Sequence, residues 1–408
     1  MLLQFNFKNF KSFRDDTTLD LTATKITEFG FHVSNVGKEK VLPVAVIYGA
    51  NASGKSNVYE AFRYMSVYVE NSWDFGGEKD KRLPHTPFIF DAETVDAQSS
   101  FEVYFIDSEQ NGAKTYNYGF CVDATGVCEE WLNYRAKTGT GNFKRIFYRN
   151  GEELDLGGIP SKMQENLRVS LQKESLIVSL GAKLKCDKLS FVRDWFVNNA
   201  FADFGRPAEN LFLSSLLPKG FVESEEVRKQ VVEYLSAFDS SIIGFNVEEK
   251  GENGSRTYKV DALHRMKGSN NIAMLSLQSE SAGTLKMFSL YSMFMDVMKT
   301  GGVLFVDELN ARLHPLLVRN ILIKFIDPGK NPKGAQLVYT SHDAWQLGIR
   351  LLRRDEIWFT EKDEDGVSSL YSLADFEDED GVKIRKDEDF EKNYLLGKYG
   401  AIPLLKEI

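Results

Sequence analysis

The sequence predicts an α/β fold: a mixed sheet flanked by helices, with a β-rich lobe and a mainly helical insertion. Three observations predict it. The run VLPVAVIY (41–48) is continuously apolar and β-rich, the mark of a strand covered on both faces. It stops at Gly49 and gives way to NVYEAFRYMSVYVENS, where Val58, Phe62, Met65 and Val69 fall near helical spacing. Two more short apolar strands, VLFV (303–306) and AQLVYT (335–340), are separated by the helical stretch PLLVRNILIKFI.

The remaining elements follow in order. Residues 1–22 read as two short strands, with Leu3, Phe5 and Phe7 on one face and LDL at 19–21. Residues 85–150 are β-rich, as FEVYFID, YNYGFCVD and KRIFYRN are short runs divided by turn signals. Residues 160–240 change to helical periodicity without sustained heptads, which excludes a long coiled coil. Strands return at about 242 as IIGFNVEE and SRTYKVDAL. The stretch 281–299 is a helix with large residues nearly all round, the pattern of deep burial. EIWFTEK and SSLYSLA pair as a hairpin across Asp365 and Gly366.

The 408 residues carry a net charge of −9, which does not advertise non-specific binding to nucleic acid or membranes. The start, MLLQFNFKNFKSF, alternates like a strand and lacks the apolar region of a signal peptide. No run reaches the roughly 18–20 apolar residues of a membrane span, so a cytoplasmic chain without membrane contact is expected. Cys121, Cys128 and Cys186 are too few and too irregularly spaced for a disulfide framework or zinc site, and read as small buried hydrophobes.

Four motifs carry chemistry. GANASGKS, Gly49–Ser56, has the spacing G-x-x-x-x-G-K-S between a strand and a helix. A turn there aims backbone N–H groups and a helix N-terminus at an anion, which makes Asn51, Ala52, Ser53, Gly54, Lys55, Ser56 and Asn57 nucleotide-binding candidates. Lys55 can reach the β- and γ-phosphates, and Ser56 offers a hydroxyl to Mg²⁺. VLFVDE (303–308) ends a buried strand in two carboxylates: Asp307 as a metal ligand and Glu308 as the general base that polarises water. ESAGTLKMFSL (280–290) opens a helix with Ser281 and Gly283, a hydroxyl and a bare backbone suited to a γ-phosphate, although the same pattern serves an ordinary N-cap. YTSHD (339–343) places His342 just beyond a buried strand, where it could bond the γ-phosphate or the attacking water.

In this order the four motifs resemble the ATP-binding cassette head, particularly its SMC/RecF/OLD branch, over about 1–130 and 270–380. LQFNFKNFKSF and the tripeptide Leu313, His314, Pro315 share in the resemblance. The tail RKDEDFEKNYLLGKYGAIP is similar to those of small bacterial AAA-type ATPases of the RloA-like group, which accompany restriction and defence functions. The resemblance implies ATP and Mg²⁺ as ligands and slow or stimulus-dependent hydrolysis. It implies a head-to-tail homodimer, or a higher homo-oligomer, in which Ser281 and Gly283 act on the ATP held by the partner's Lys55. It divides the chain into an N-terminal head part (1–140), a largely helical insertion (141–265) and a C-terminal head part (266–408).

The sequence departs from the cassette pattern in two places. No local pattern fixes the glutamine that normally contacts metal or water, leaving Gln98 as its candidate, and the loop after Glu308 is Leu-Asn-Ala-Arg, where Asn310 stands in for a polar contact. The function expected is an ATP-dependent switch controlling a protein effector such as a nuclease in anti-phage defence. The alternative is a RecF-like DNA-engaging repair ATPase, for which Lys144, Arg145 and Arg149 among Phe143, Phe147 and Tyr148 form the nearest basic-aromatic patch. A self-contained nuclease is disfavoured, because the acidic stretch Glu377–Asp380 follows no buried strand.

Overall fold

The strand Val44–Gly49 is buried at every position. Its side chains alternate between two cores, as a pleated strand requires: Ala45 and Ile47 enter one cluster, Val44, Val46 and Tyr48 the other. The computed structural model describes residues 1–76, 82–107, 114–136, 142–250, 257–377, 381 and 383–403.

Val44–Gly49 lies inside a six-stranded sheet. The order is Ala200–Asp203, Val303–Asp307, Gln336–Thr340, Val44–Gly49, Ile357–Lys362, Ser368–Ser372. The first five strands are parallel, and the last returns antiparallel through the turn at Asp363–Val367. A second, seven-stranded antiparallel sheet runs from Glu153–Asp155 at one edge to Leu2–Lys8 and Thr17–Asp20 at the other. The helix Lys55–Asn71 shares its core with both sheets: Phe62 packs on Phe5 and on Phe305. On the opposite face of the six-stranded sheet the helices Ala282–Thr300 and Pro315–Ile326 cover Val46, Val306 and Leu337 with Phe294, Leu322 and Phe325.

The stretch 141–265, expected as one insertion, is divided among several places. Lys144–Asn150 belongs to the seven-stranded sheet, and Ala200–Asp203 is the edge strand of the six-stranded one. The helices Ile177–Lys183 and Asp187–Val197 bury Ile177, Leu189, Val192 and Phe196 in the cluster that holds Phe62, so they have no separate core of their own. The segment from Ile242 adds a small sheet of three strands, Ile242–Lys250, Thr257–Arg265 and Ile272–Ser276, the last not anticipated.

The basic-aromatic patch survives only in part: Lys144 and Arg145 are exposed, while Arg149 turns inward. Arg149 is buried and donates to the carbonyls of Ser175, Gln172 and Lys173. Arg145 stacks on Tyr148 and pairs with Asp155. The physical reason is local: a guanidinium on a buried strand position finds carbonyls in the turn between the helices Ser161–Ser170 and Ile177–Lys183. Cys121 and Cys186 are buried and Cys128 partly so, all three as free thiols. Of the acidic stretch Glu377–Asp380, residues 378–380 lie outside the described residues. Among the described residues no helix is long and apolar enough to cross a membrane.

Candidate nucleotide site

The turn after Val44–Gly49 is held tightly to the sheet. A Cβ on Gly49 would fall 2.5 Å from the Thr360 carbonyl oxygen, and one on Gly54 2.6 Å from Ser368 Oγ. Gly54 also has φ of 117°, which other residues avoid. The Ser53 hydroxyl is spent on Thr360 Oγ1 at 2.6 Å, and the Ser53 carbonyl accepts from Ser368 Oγ at 2.7 Å. With its N–H on the Ala50 carbonyl as well, Ser53 is buried and does not line the cleft, so it shapes the turn and is not one of the cleft's own groups. Asn57 donates to Ser12 Oγ at 2.7 Å, tying the turn to the loop after the first strand. The helix then opens at Lys55 with no side chain capping it, so its first N–H groups face the cleft. Lys55 Nζ curls back to the carbonyls of Gly49 (2.8 Å) and Ala50 (2.9 Å). Burial lowers the pKa of this ammonium, while Glu308 and Asp307 oppose the shift.

The acidic pair stands across the cleft. Asp307 ends its strand, buried, with Oδ1 accepting from Thr340 Oγ1 at 2.5 Å and a further hydrogen bond from the Ser56 hydroxyl. Burial raises the Asp307 carboxyl, and the two hydroxyls pull it back. Glu308 adopts a left-handed φ of 56°, and its N–H donates to Thr340 Oγ1 at 2.9 Å. One threonine thus fixes both the Asp307 carboxylate and the backbone of the next residue. That left-handed turn sends the Glu308 side chain to His342, whose Nε2 lies 2.6 Å from Oε1.

A cleft of about 770 Å³ gathers Asn51, Ala52, Gly54, Lys55, Ser56, Asn57, Asp307, Glu308 and His342. It also holds residues that sequence reading missed. Asp203 ends the edge strand in register with Asp307 and is buried; burial first, and then Asp307, raises its carboxyl. Glu60, one turn beyond Ser56, takes ion pairs from both Lys11 and Arg206. Gln98 is exposed at the start of the strand Ser99–Asp107 and does not line the cleft. The polar side chain beside the acidic pair is Asp203. A strand of four residues, AFAD, gives no periodic signal that could have located it.

A family model described as "AAA domain, putative AbiEii toxin, Type IV TA system" matches residues 44–344, from the first residue of the cleft's central strand to just beyond His342. The chain belongs to this AAA family. No curated protein matches it. Among solved structures, the crystal structure of an Smc head domain with a coiled coil and joint derived from Pyrococcus yayanosii aligns over 91% of this chain and 97% of that one. The identity is 11% and the TM-score 0.38.

In this AAA protein the Ser281–Gly283 turn lies outside the cleft. Ser281 Oγ caps its own helix, accepting from the Thr284 N–H at 3.1 Å, and Ser281 and Ala282 are exposed. Lys286, one turn further on, is buried and donates to three carbonyls of the loop after Asp307. Burial pushes this lysine down to about 7, whereas only the protonated form can serve three acceptors at once. The geometry decides for the ammonium. Asn310 keeps a buried Oδ1 with no hydrogen-bond partner. His314 caps the next helix through Leu316 N, and Leu313 is buried.

The donors fit a hydrated divalent cation. Among the described residues no three His, Cys, Asp or Glu side chains group to hold a metal alone. A buried Asp307 whose carboxyl is raised, beside the Ser56 hydroxyl, supplies the one or two protein ligands that Mg²⁺ typically takes beside phosphate and water.

Proposed function

We propose that this AAA-family chain binds ATP with Mg²⁺ in the cleft and hydrolyses it slowly, as a switch that closes head to tail on a second copy. The observation that carries the reading is one cleft containing an uncapped helix start, Lys55, Ser56, Asp307 and the Glu308–His342 pair. Lys55 would exchange its two carbonyl partners for the β- and γ-phosphates, and Ser56 and Asp307 would hold the cation. Mg²⁺, when bound, supplies positive charge to the β- and γ-oxygens. Glu308 accepts a proton from the attacking water, and His342 holds its carboxylate in place. Ser281, exposed, and Gly283, half-buried, both away from the cleft of their own chain, would meet the nucleotide of the second copy. The γ-phosphate then favours the closed pair, and its loss releases it.

The output of such a switch is a protein effector, a nuclease of a defence system being the expected kind. The family description names a toxin of a type IV toxin–antitoxin system, which favours effector control over repair. The DNA-engaging alternative loses support with the burial of Arg149.

Light scattering of Glu308→Gln with and without ATP and Mg²⁺ tests the reading. A doubling of mass with ATP that Ser281→Arg abolishes is the expected result. A monomer unchanged by ATP would sink the head-to-tail switch and leave a cleft working within one chain.

A further inference from the structure

Lys286 lies on the helix Ala282–Thr300, five positions after Ser281, at 4% exposure. Its Nζ donates to the carbonyls of Glu308 (2.9 Å), Leu309 (2.8 Å) and Ala311 (2.9 Å). An ammonium has three protons, and all three are spent on one short loop. The same Nζ stands 4.0 Å from the centroid of the Phe204 ring, next in sequence to Asp203.

The loop needs outside support. Glu308 (φ 56°) and Arg312 (φ 62°) both occupy the left-handed region without being glycine, and they bracket the lysine-bound carbonyls. Three carbonyl dipoles turned toward one interior point repel one another, and a cation there reverses the sign of that interaction. The support comes from the helix that carries the exposed turn. A Cβ on Gly283 would lie 3.2 Å from the Arg312 carbonyl oxygen, so turn and loop touch directly as well. A hollow of about 250 Å³ between them is lined by Phe204, Ala282, Lys286, Ala311 and Arg312. Phe204 and Ala311 also form part of the wall of the nucleotide cleft.

We infer that Lys286 is a positioning residue: from the helix bearing Ser281 and Gly283 it holds the Glu308–Ala311 loop, so that docking on the turn is transmitted to the general base of the same chain. This rests on the proposed roles of Glu308 and of the turn. A contact with the second copy's nucleotide would displace the start of the helix, and Lys286 has no slack with which to absorb the movement.

The test compares full-length wild type, Lys286→Met and Lys286→Arg. Three quantities are measured: affinity for a fluorescent ATP analogue, turnover at saturating ATP, and hydrogen exchange of the amides at 308–313. Lys286→Met is expected to keep affinity within about twofold while kcat falls about tenfold or more and exchange at 308–313 quickens. Lys286→Arg keeps the charge but presents its donors in a plane, so it should fall between the other two; it supplies the same readouts where Lys286→Met does not fold. Wild-type turnover with unchanged loop exchange in either folded variant overturns the inference. So does a general packing defect, with faster exchange along all of 282–300 and weakened nucleotide binding. A wild type without ATP turnover would refute the hydrolytic reading instead, and the exchange measurement would still decide what Lys286 holds.

Discussion

The helix that starts at Lys55 and the helix that starts at Ala282 open in opposite ways. The first has Gly54 at its N-cap and no side chain serving its free N–H groups. The second is closed by its own Ser281 hydroxyl. A third start shows what the first lacks. At Ile177–Lys183 the buried Glu130 reaches over from a strand and accepts from Ile177 N (2.6 Å) and Val178 N (3.1 Å). The carboxyl oxygens of Glu130 take the helix-start N–H groups that a phosphate takes at a P-loop. Of these three starts, the Lys55 helix is the one whose first N–H groups no side chain serves, and an anion or water can take that place.

Four measurements break or sharpen this contrast. Lys55→Ala should weaken binding of a fluorescent ATP analogue at least about 100-fold, or ~2.7 kcal/mol; a change of a few-fold would mean that the open helix start alone recruits the phosphates. Glu130 gives a pH signature. Burial raises its folded pKa to about 7, above the usual 4.5, so its contribution to stability is full below 4.5 and is lost as pH rises through 7. Between pH 5 and 8 the free energy of urea unfolding should fall by on the order of 2–3 kcal/mol from this group, and Glu130→Gln should flatten that slope. An identical slope in the variant would show that other groups set it. Thr340→Val removes the hydroxyl shared by Asp307 and the Glu308 N–H, and turnover should drop about tenfold, with Thr340→Ser recovering most of it. The smallest effect belongs to Ser281→Ala, which should cost ~1 kcal/mol of stability through the lost cap without weakening ATP binding to the single chain.

The parts of the site that could be read from sequence are those whose chemistry sits within a few residues of a strong periodic element. Lys55 and Ser56 stand one short turn beyond a six-residue buried strand, and Asp307 closes another with Glu308 next to it; the structure brings all four together with His342. What escaped depends on distant neighbours. Asp203 matters because its strand lies in register with Val303–Asp307, a pairing across about 100 residues that four residues cannot announce. Lys286 looks like a polar residue on an apolar helix until the loop carbonyls appear above it. Arg149 reads as a surface cation because nothing in its own strand reveals the carbonyls of 172–175. Gln98 has the expected residue type but stands exposed and off the cleft, whereas Asp203 lines it.

The order of the six-stranded sheet has a consequence for synthesis. Val44–Gly49 emerges early, yet both strands that flank it, Gln336–Thr340 and Ile357–Lys362, come about 290 and about 310 residues later. Until they arrive, the strand feeding the GANASGKS turn has no edge to pair with, and Ser53 has no Thr360 or Ser368 to hold it. A nascent or shortened chain therefore carries the complete phosphate-binding motif without a phosphate-binding turn. On the proposed reading, nucleotide capture would certify completion, and the switch would stay silent in every unfinished copy.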